Sequence, residues 1–335
     1  MKKLLISISF LGLFACGSGT VVTTDESKIE TSSETPKPQS KMSLDISKLE
    51  ADIKTTMEYL ASDELGGRET GTEGIEKAAV FIENYLKKND IQPYFETYRD
   101  TFNINKTIGY NIVGVVKGND PVLKNEYVIL GGHYDHIGTA KEVNGDTIAN
   151  GANDDASGTI AAMEFAKYFA KTKTNKRSIL VTLYSGEEKG LKGSSHLAER
   201  LKNEGLDAYT MINFEMIGVP RAADRPFAYM TGYELSNFAE TLNDYAGEEV
   251  VGFFSEAKEM SLFMRSDNFP FYKQLEIPAH AISTFDFTNY PYYHHVDDEA
   301  DQMDFAHMAA FVSKMIPALE GMMNAPTKEV VMNDE

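Results

Sequence analysis

Residues 178–190 run Ser178-Ile179-Leu180-Val181-Thr182-Leu183-Tyr184-Ser185-Gly186-Glu187-Glu188-Lys189-Gly190. The first seven are apolar or β-favouring and predict a buried strand. Ser185-Gly186 breaks the run, and Leu191–Leu201 carries apolar residues at helical spacing. Strand, acidic turn and helix thus follow one another within 25 residues. The same succession recurs along the chain. Tyr127–Leu130 predicts a strand and Ile160–Phe169 a helix, with Ser157 or Thr159 near its start. Met211–Phe214 predicts a strand, Leu235–Tyr245 a helix, Pro278–Ser283 a strand and Phe305–Leu319 a last helix. Upstream, Ile46, Leu49, Ile53, Met57 and Leu60 share one helical face, as do Ile75, Ala78, Ala79, Ile82 and Leu86. Tyr110–Val116 predicts a further strand. Strands alternating with helices imply an α/β domain around a largely parallel sheet. In such sheets ligands collect beyond the carboxyl ends of the strands.

Five short segments follow predicted strands or sit in loops, and each carries metal-type ligands. Gly132-His133-Tyr134-Asp135-His136 follows the strand ending at Leu130. A histidine that binds metal through one nitrogen needs a partner for the other, and Asp135 is placed to be that partner of His133. Gly151-Ala152-Asn153-Asp154-Asp155-Ala156-Ser157-Gly158 is a glycine-bounded acidic loop, where one carboxylate can bridge two metals. In Ser185-Gly186-Glu187-Glu188 one glutamate can bind metal while its neighbour takes a proton from water. Asn213-Phe214-Glu215-Met216 and Tyr292-Tyr293-His294-His295, with Asp297-Asp298 behind, complete the set. Nitrogen and oxygen ligands without thiolates suit zinc, or a divalent metal of similar preference, in an open catalytic site.

Composition bounds the rest. The chain has 335 residues, is 42% hydrophobic and 25% charged, and is expected to fold as a globular protein. Acidic residues outnumber basic ones 51 to 32, a formal charge of -19 that repels nucleic acid. Cys16 is the single cysteine, so no intrachain disulfide can form. Lys2 and Lys3 followed by the apolar Leu4–Ala15 predict a signal segment over residues 1–15, too short to span a bilayer. Ala15-Cys16 resembles a bacterial lipoprotein junction, which places a lipid on Cys16 and the protein in the cell envelope, facing the periplasm or the exterior. Residues 16–43 are rich in Ser, Thr, Glu, Lys and Pro and predict a flexible tether. The catalytic domain is expected over residues 44–325, and 326–335 as a tail.

The ordered motifs HYD (133–135), GANDDASG (151–158), SGEEKGLKGS (185–194), a carboxylate after a strand and YHH (293–295) resemble metallopeptidase family 28 of clan MH. LASDELGGRETGTEG (60–74) and SDNFPFYKQLEIPA (266–279) are similar to that family as well, so the resemblance covers about residues 45–325. It implies a three-layer α/β/α sandwich of the zinc-exopeptidase type, like the bacterial leucyl aminopeptidases, with two zinc ions per chain. It makes Asp154 the bridging ligand, pairs His133 with Glu215 on one metal and Glu188 with His294 on the other, and makes Glu187 the general base. Asp155 and His295 are the alternatives to Asp154 and His294. One position departs from the pattern: Glu215 stands where an aspartate is usual. Its extra methylene is expected to change the metal spacing, the affinity of that site or the contact with a substrate amine.

The implied reaction is hydrolysis of a terminal peptide bond by a metal-activated water with a glutamate base. Carboxylates near the metals can hold a free ammonium, which favours an aminopeptidase. A carboxypeptidase or dipeptidase is the alternative, with Arg68, Arg221 and Arg265 as candidates to hold a free carboxylate. A glutaminyl-cyclase-like transferase and an inactive surface-binding lipoprotein are the other readings. Ser157 and Ser185 are expected as turn and helix-start residues, not nucleophiles. The expected partners are peptide substrates and, through the lipid, a membrane.

Overall fold

The computed structural model of the protein describes residues 44–333. The predicted signal, Cys16 and the tether lie outside the described residues. The first helix, α1 (Ile46–Leu60), is capped by the Asp45 carboxylate, which accepts the Lys48 N–H at 3.0 Å. Leu49, Ile53, Met57 and Leu60 face inward, while Ile46 in the first turn stays exposed. Helix α2 (Glu73–Lys88) buries Ile75, Ala78, Ala79, Ile82 and Leu86.

A nine-stranded sheet forms the centre. It comprises β1 (Gln92–Pro93), β2 (Arg99–Ile104), β3 (Thr107–Val116), β4 (Tyr127–His133), β7 (Ser178–Tyr184), β8 (Ala208–Glu215), β9 (Ala228–Met230), β10 (Val251–Gly252) and β11 (Ala279–Ser283). A separate hairpin pairs β5 (Thr139–Val143) with β6 (Asp146–Ile148). The order is β1-β3-β7-β4-β8-β11-β9-β10, with β2 paired to β3. The middle strands β7, β4, β8 and β11 are parallel, whereas β1, β2 and β3 on one side and the β11–β9 pair on the other are antiparallel.

Alternation along the strands splits the core into two layers. Val128, Leu130, Ile179, Val181, Ile212 and Ile282 join the core formed with α1, α2, α3 (Gly158–Thr172), α5 (Phe238–Ala246) and α8 (Phe305–Asn324). Their neighbours Ile129, Leu180, Met211 and Ala279 face the other way, onto Leu197, Ala198 and Leu201 of α4 (Lys192–Asn203) and Phe271 of α7 (Asn268–Leu275). The architecture is therefore a three-layer α/β/α sandwich with a mixed, centrally parallel sheet. β4 leads through α3 on one face to β7, and β7 leads through α4 on the other face to β8. The crossovers diverge at the carboxyl end of β4, which is where such sheets open a crevice.

Short α6 (Ser255–Glu259), the strands β1, β2, β9 and β10, and α7 were not among the elements expected from the sequence. Pro270 masks α7, yet it falls in the first turn, where a missing N–H costs nothing. Past α8 the chain stays on the domain. Val330 is buried and donates its N–H to the Tyr209 hydroxyl at 2.8 Å, and Met332 bridges to Ser236. Residues 326–333 are thus docked rather than hanging as a tail.

Candidate metal centre

His133 is the last residue of β4, and its side chain points into the crevice. The Thr159 hydroxyl donates to its carbonyl at 2.7 Å, and the Asp155 carboxylate accepts its N–H at 3.1 Å. The ring Nδ1 lies 3.0 Å from the backbone carbonyl of Asp135 and 3.7 Å from its carboxylate. Asp135 is thus the residue that meets the second ring nitrogen, with its carbonyl nearer than its carboxylate. The Asp135 carboxylate instead accepts from the Thr70 hydroxyl at 3.0 Å and from the Glu187 N–H at 3.2 Å.

With Nδ1 so engaged, Nε2 of His133 faces Asp154 Oδ1 at 3.2 Å and Glu215 Oε1 at 3.4 Å. The other carboxylate oxygen of Asp154 lies 3.3 Å from His294 Nε2, which is also 3.1 Å from Glu188 Oε1. A fully buried third histidine, His136, puts Nδ1 3.1 Å from the same Glu188 oxygen and 3.8 Å from Asp154 Oδ2. Two donor groups result, His133–Asp154–Glu215 and His136–Asp154–Glu188, and the donor atoms within each lie within 4.8 Å of one another. Zinc bonds to nitrogen and carboxylate oxygen are about 2.0–2.2 Å, so a tetrahedral site sets its donors roughly 3.3–3.6 Å apart. The observed separations bracket that range. Asp154 Oδ2 and both His136 nitrogens are buried without a hydrogen-bond partner. Buried polar atoms are nearly always paired, so orphans gathered here fit a bound cation.

The electrostatics agree. Burial alone would pull the His294 imidazole down, yet the hydrogen bonds and charges of Asp154 and Glu188 push it up to about 10. His133 is likewise raised well above its ordinary value against its burial, by Glu187, Glu215, Asp135 and Asp154. Burial pushes the Asp154 carboxyl up, but the His133 and His294 imidazoles close beside it outweigh that and hold it below its usual range.

Asp155, the alternative to Asp154, is used up by main-chain donors: His133, Gly158 at 3.0 Å and Met216 at 2.8 Å. It holds β4, α3 and the end of β8 together and also starts α3, where Ser157 had been expected. His295, the alternative to His294, accepts the Asp297 N–H at 3.1 Å; both histidines stand outside the two groups, but His294 Nε2 lies 3.3 Å from Asp154 and 3.1 Å from Glu188. Glu215 is fixed by its second oxygen, which accepts from Ser266 at 2.5 Å and Asn213 at 3.2 Å. Asp298, to which the sequence assigned no role, accepts the N–H groups of Asn153 and Asp154 at 2.8 and 3.1 Å and the Tyr290 hydroxyl at 2.7 Å. It ties the His294 loop to Asp154. Glu187 lies beside the two groups without belonging to either. Burial, reinforced by Asp267, Glu215 and Glu188 and opposed by His133, raises its carboxyl well above the ordinary value.

Arg68 and Arg221 do not reach the crevice as free cations. Arg68 is 1% exposed and donates to the carbonyls of Leu60, Tyr134, Asn150 and Gly151. Arg221 is buried 3.5 Å from Asp286 and packs on Tyr229 and Phe254. Arg265 lines a pocket that opens beside Glu215, with Leu262, Phe285, Phe287 and Tyr293 as its apolar walls.

Comparison with known proteins agrees with this architecture. A probable zinc metalloprotease of Pyrenophora teres f. teres is 31% identical over 180 residues, 51% of this chain and 36% of that protein. A probable leucine aminopeptidase of Trichophyton verrucosum is 29% identical over 215 residues, 61% of this chain and 53% of that protein. The chain thus spans about a third to a half of the length of these relatives. Among solved structures, the LapA aminopeptidase of Legionella pneumophila superposes with a TM-score of 0.63 at 22% identity, covering 82% of this chain and 72% of that one. The glutaminyl cyclase of Porphyromonas gingivalis superposes with a TM-score of 0.62 at 16% identity, covering 82% and 98%. At these identities the likeness is one of fold. Residues 111–318, more than half of the chain, match the family model described as Peptidase family M28, and the protein belongs to that family.

Proposed function

We propose that the protein is a zinc-dependent aminopeptidase that binds two zinc ions about Asp154. The observation that carries this reading is the pair of donor groups sharing Asp154, with Glu187 beside them as a carboxylate in neither. Bound zinc would polarise the scissile carbonyl and lower the pKa of the attacking water. The protein's own part is positional and acid–base. His133 and Glu215 hold one side, His294 and Glu188 the other. Glu187 takes the proton from the attacking water at its carboxylate and returns it to the leaving amine. The Asp135 bond to its N–H keeps the carboxylate beside the centre.

Support for the amino end comes from the charge around the pocket. Glu215 borders it directly, and Arg68 and Arg221 are engaged elsewhere; Arg265, on the same pocket, is the one candidate of the three left to hold a free carboxylate, as the carboxypeptidase reading requires. The apolar walls formed by Leu262, Phe285 and Phe287 suit a substrate whose first side chain is apolar. Cys16 as a lipid anchor, with the domain in the cell envelope, completes the proposal and rests on the sequence of residues 1–16.

The test is a set of peptides with free or acetylated N-termini and free or amidated C-termini, read by mass spectrometry with the full, zinc-loaded chain. Loss of one N-terminal residue from free-ended and amidated peptides, with acetylated ones intact, is expected. Trimming from the carboxyl end would replace the reading by a carboxypeptidase. Cyclisation of N-terminal glutamine without cleavage would replace it by a transferase.

A further inference from the structure

We propose that His136 is a ligand of the metal position at Glu188, which makes that position the richer and tighter of the two. The inference rests on the metal reading above and adds a residue to it.

The case begins with packing. His136 is 0% exposed, yet neither ring nitrogen has hydrogen-bond geometry to any group. A buried imidazole with both nitrogens unpaired forfeits more than one good hydrogen bond, a cost folds seldom carry without a compensating partner. It stands three positions after His133, and its main chain is fixed by an N–H bond to the Arg68 carbonyl at 3.3 Å. The backbone opposite has been cleared to admit the ring. Gly151 has φ +60°, and a Cβ there would lie 2.5 Å from His136 Cγ and 2.7 Å from Cδ2.

The second step is the shared orphan. Asp154 Oδ2 also lacks a partner, and it lies 3.8 Å from His136 Nδ1. Glu188 Oε1 is 3.1 Å from the same nitrogen. These separations approach the roughly 3.3–3.6 Å expected between donors on one tetrahedral zinc. A cation among these three atoms pairs Asp154 Oδ2 and His136 Nδ1 at once and leaves only His136 Nε2 without a partner. His294 Nε2 approaches the same two carboxylates at 3.3 and 3.1 Å from the exposed side, its ring edge-on to His136 with centroids 5.6 Å apart.

The consequence is an asymmetric centre. The Glu188 position draws on His136, Asp154, Glu188 and His294, whereas the other draws on His133, Asp154 and Glu215. Catalytic zinc sites keep three protein ligands and an open position. The His133 position then has the open coordination, and the Glu188 position has the larger share of protein ligands.

A crystal structure of the full, zinc-loaded chain with anomalous data tests the contact. Zinc within about 2.3 Å of His136 Nδ1 is expected, and a separation beyond about 3 Å with both ions present overturns the proposal. Competition with a chromogenic chelator tests the order of release. Wild type should lose the His133-side ion first. His136→Phe, which keeps an aromatic ring and removes the donors, should bind its Glu188-side ion at least 100-fold more weakly, with the other affinity within about threefold. Equal affinities in wild type and His136→Phe would also overturn it. If that variant does not fold, the wild-type structure and release order still decide. A wild-type chain that takes up no zinc would defeat the underlying metal reading instead, a distinct result.

Discussion

The backbone N–H of Glu187 donates to Asp135 Oδ1 at 3.2 Å, so the carboxylate two residues after His133 fixes the loop that carries Glu187. The same side chain accepts from Thr70, whose hydroxyl in turn accepts the Gly186 N–H at 3.0 Å. The carbonyl of Asp135, not its carboxylate, meets His133 Nδ1. One residue therefore aligns two candidate site groups by two different chemical functions.

This division predicts a graded response at position 135. Asp135→Asn keeps an oxygen for the Glu187 N–H and leaves the carbonyl untouched, so activity should fall less than about tenfold. Asp135→Ala strands buried donors at a cost of about 1–3 kcal/mol each and should reduce kcat by 10²-fold or more. Peptidase kinetics on both variants, with unfolding curves as the stability control, check this. An Asn variant as damaged as the Ala variant would show that the charge, not the alignment, is what matters.

Glu187→Gln should bind zinc as the wild type does and lose about 10²–10⁴-fold in kcat, the usual contribution of a positioned acid–base group. The residue lies in neither donor group, so metal content is the discriminating readout. Zinc lost together with activity would move Glu187 from base to ligand.

The same charge cluster gives the metal-free chain a characteristic pH dependence. His294 has an ordinary value of 6.5 and is raised to about 10 in the fold by Asp154 and Glu188. A raised folded value means that its stabilising contribution is complete below pH 6.5 and is lost as pH rises through about 10. Glu187, also raised, acts in the same direction, since its charge must be buried as pH rises above its ordinary value. Urea unfolding of the chelated chain at pH 6, 8 and 10 should show midpoints falling with pH. Zinc should flatten or invert the trend, because metal binding requires the deprotonated ligands.

What the sequence revealed follows from how local each signal is. The strands β4, β7 and β8 are continuous apolar runs, and the ligands at their ends lie next to those runs in the chain. His133, Glu215 and the pair Glu187-Glu188 were therefore legible as candidates from position alone, while the choice of Glu188 over Glu187 came from the family resemblance. Choosing Asp154 over Asp155 was not, because it depends on which carboxylate meets the N–H groups of Gly158 and Met216, a contact between separate elements. His136 lies in the same segment as His133 but is not marked as a ligand by position. A second histidine three residues after the first was the available signal, but its meaning depends on Glu188, more than fifty residues away. Ser266 and Asp298 act only through tertiary contact and leave no periodic trace.

Arg68 shows the same limit and gives the last prediction. The sequence offered it as a free cation for a substrate carboxylate, yet its guanidinium donates to four carbonyls, with 2.9 Å to Tyr134 and 2.7 Å to Gly151. Burial pulls it down to about 10, against the opposing charge of Asp298 and Asp135, and it remains a cation at neutral pH. It thus clamps the residue after His133 to the loop that leads into Asp154. Lysine has one nitrogen where arginine has three, so it cannot serve four carbonyls in a planar fork. Arg68→Lys should leave at least two buried acceptors unpaired and cost about 2–5 kcal/mol of stability. Zinc affinity should fall with it, because the two loops no longer hold their ligands in register. Denaturant unfolding with and without zinc measures both terms. A variant destabilised in the metal-free state but with wild-type zinc affinity would confine Arg68 to folding and remove it from the centre.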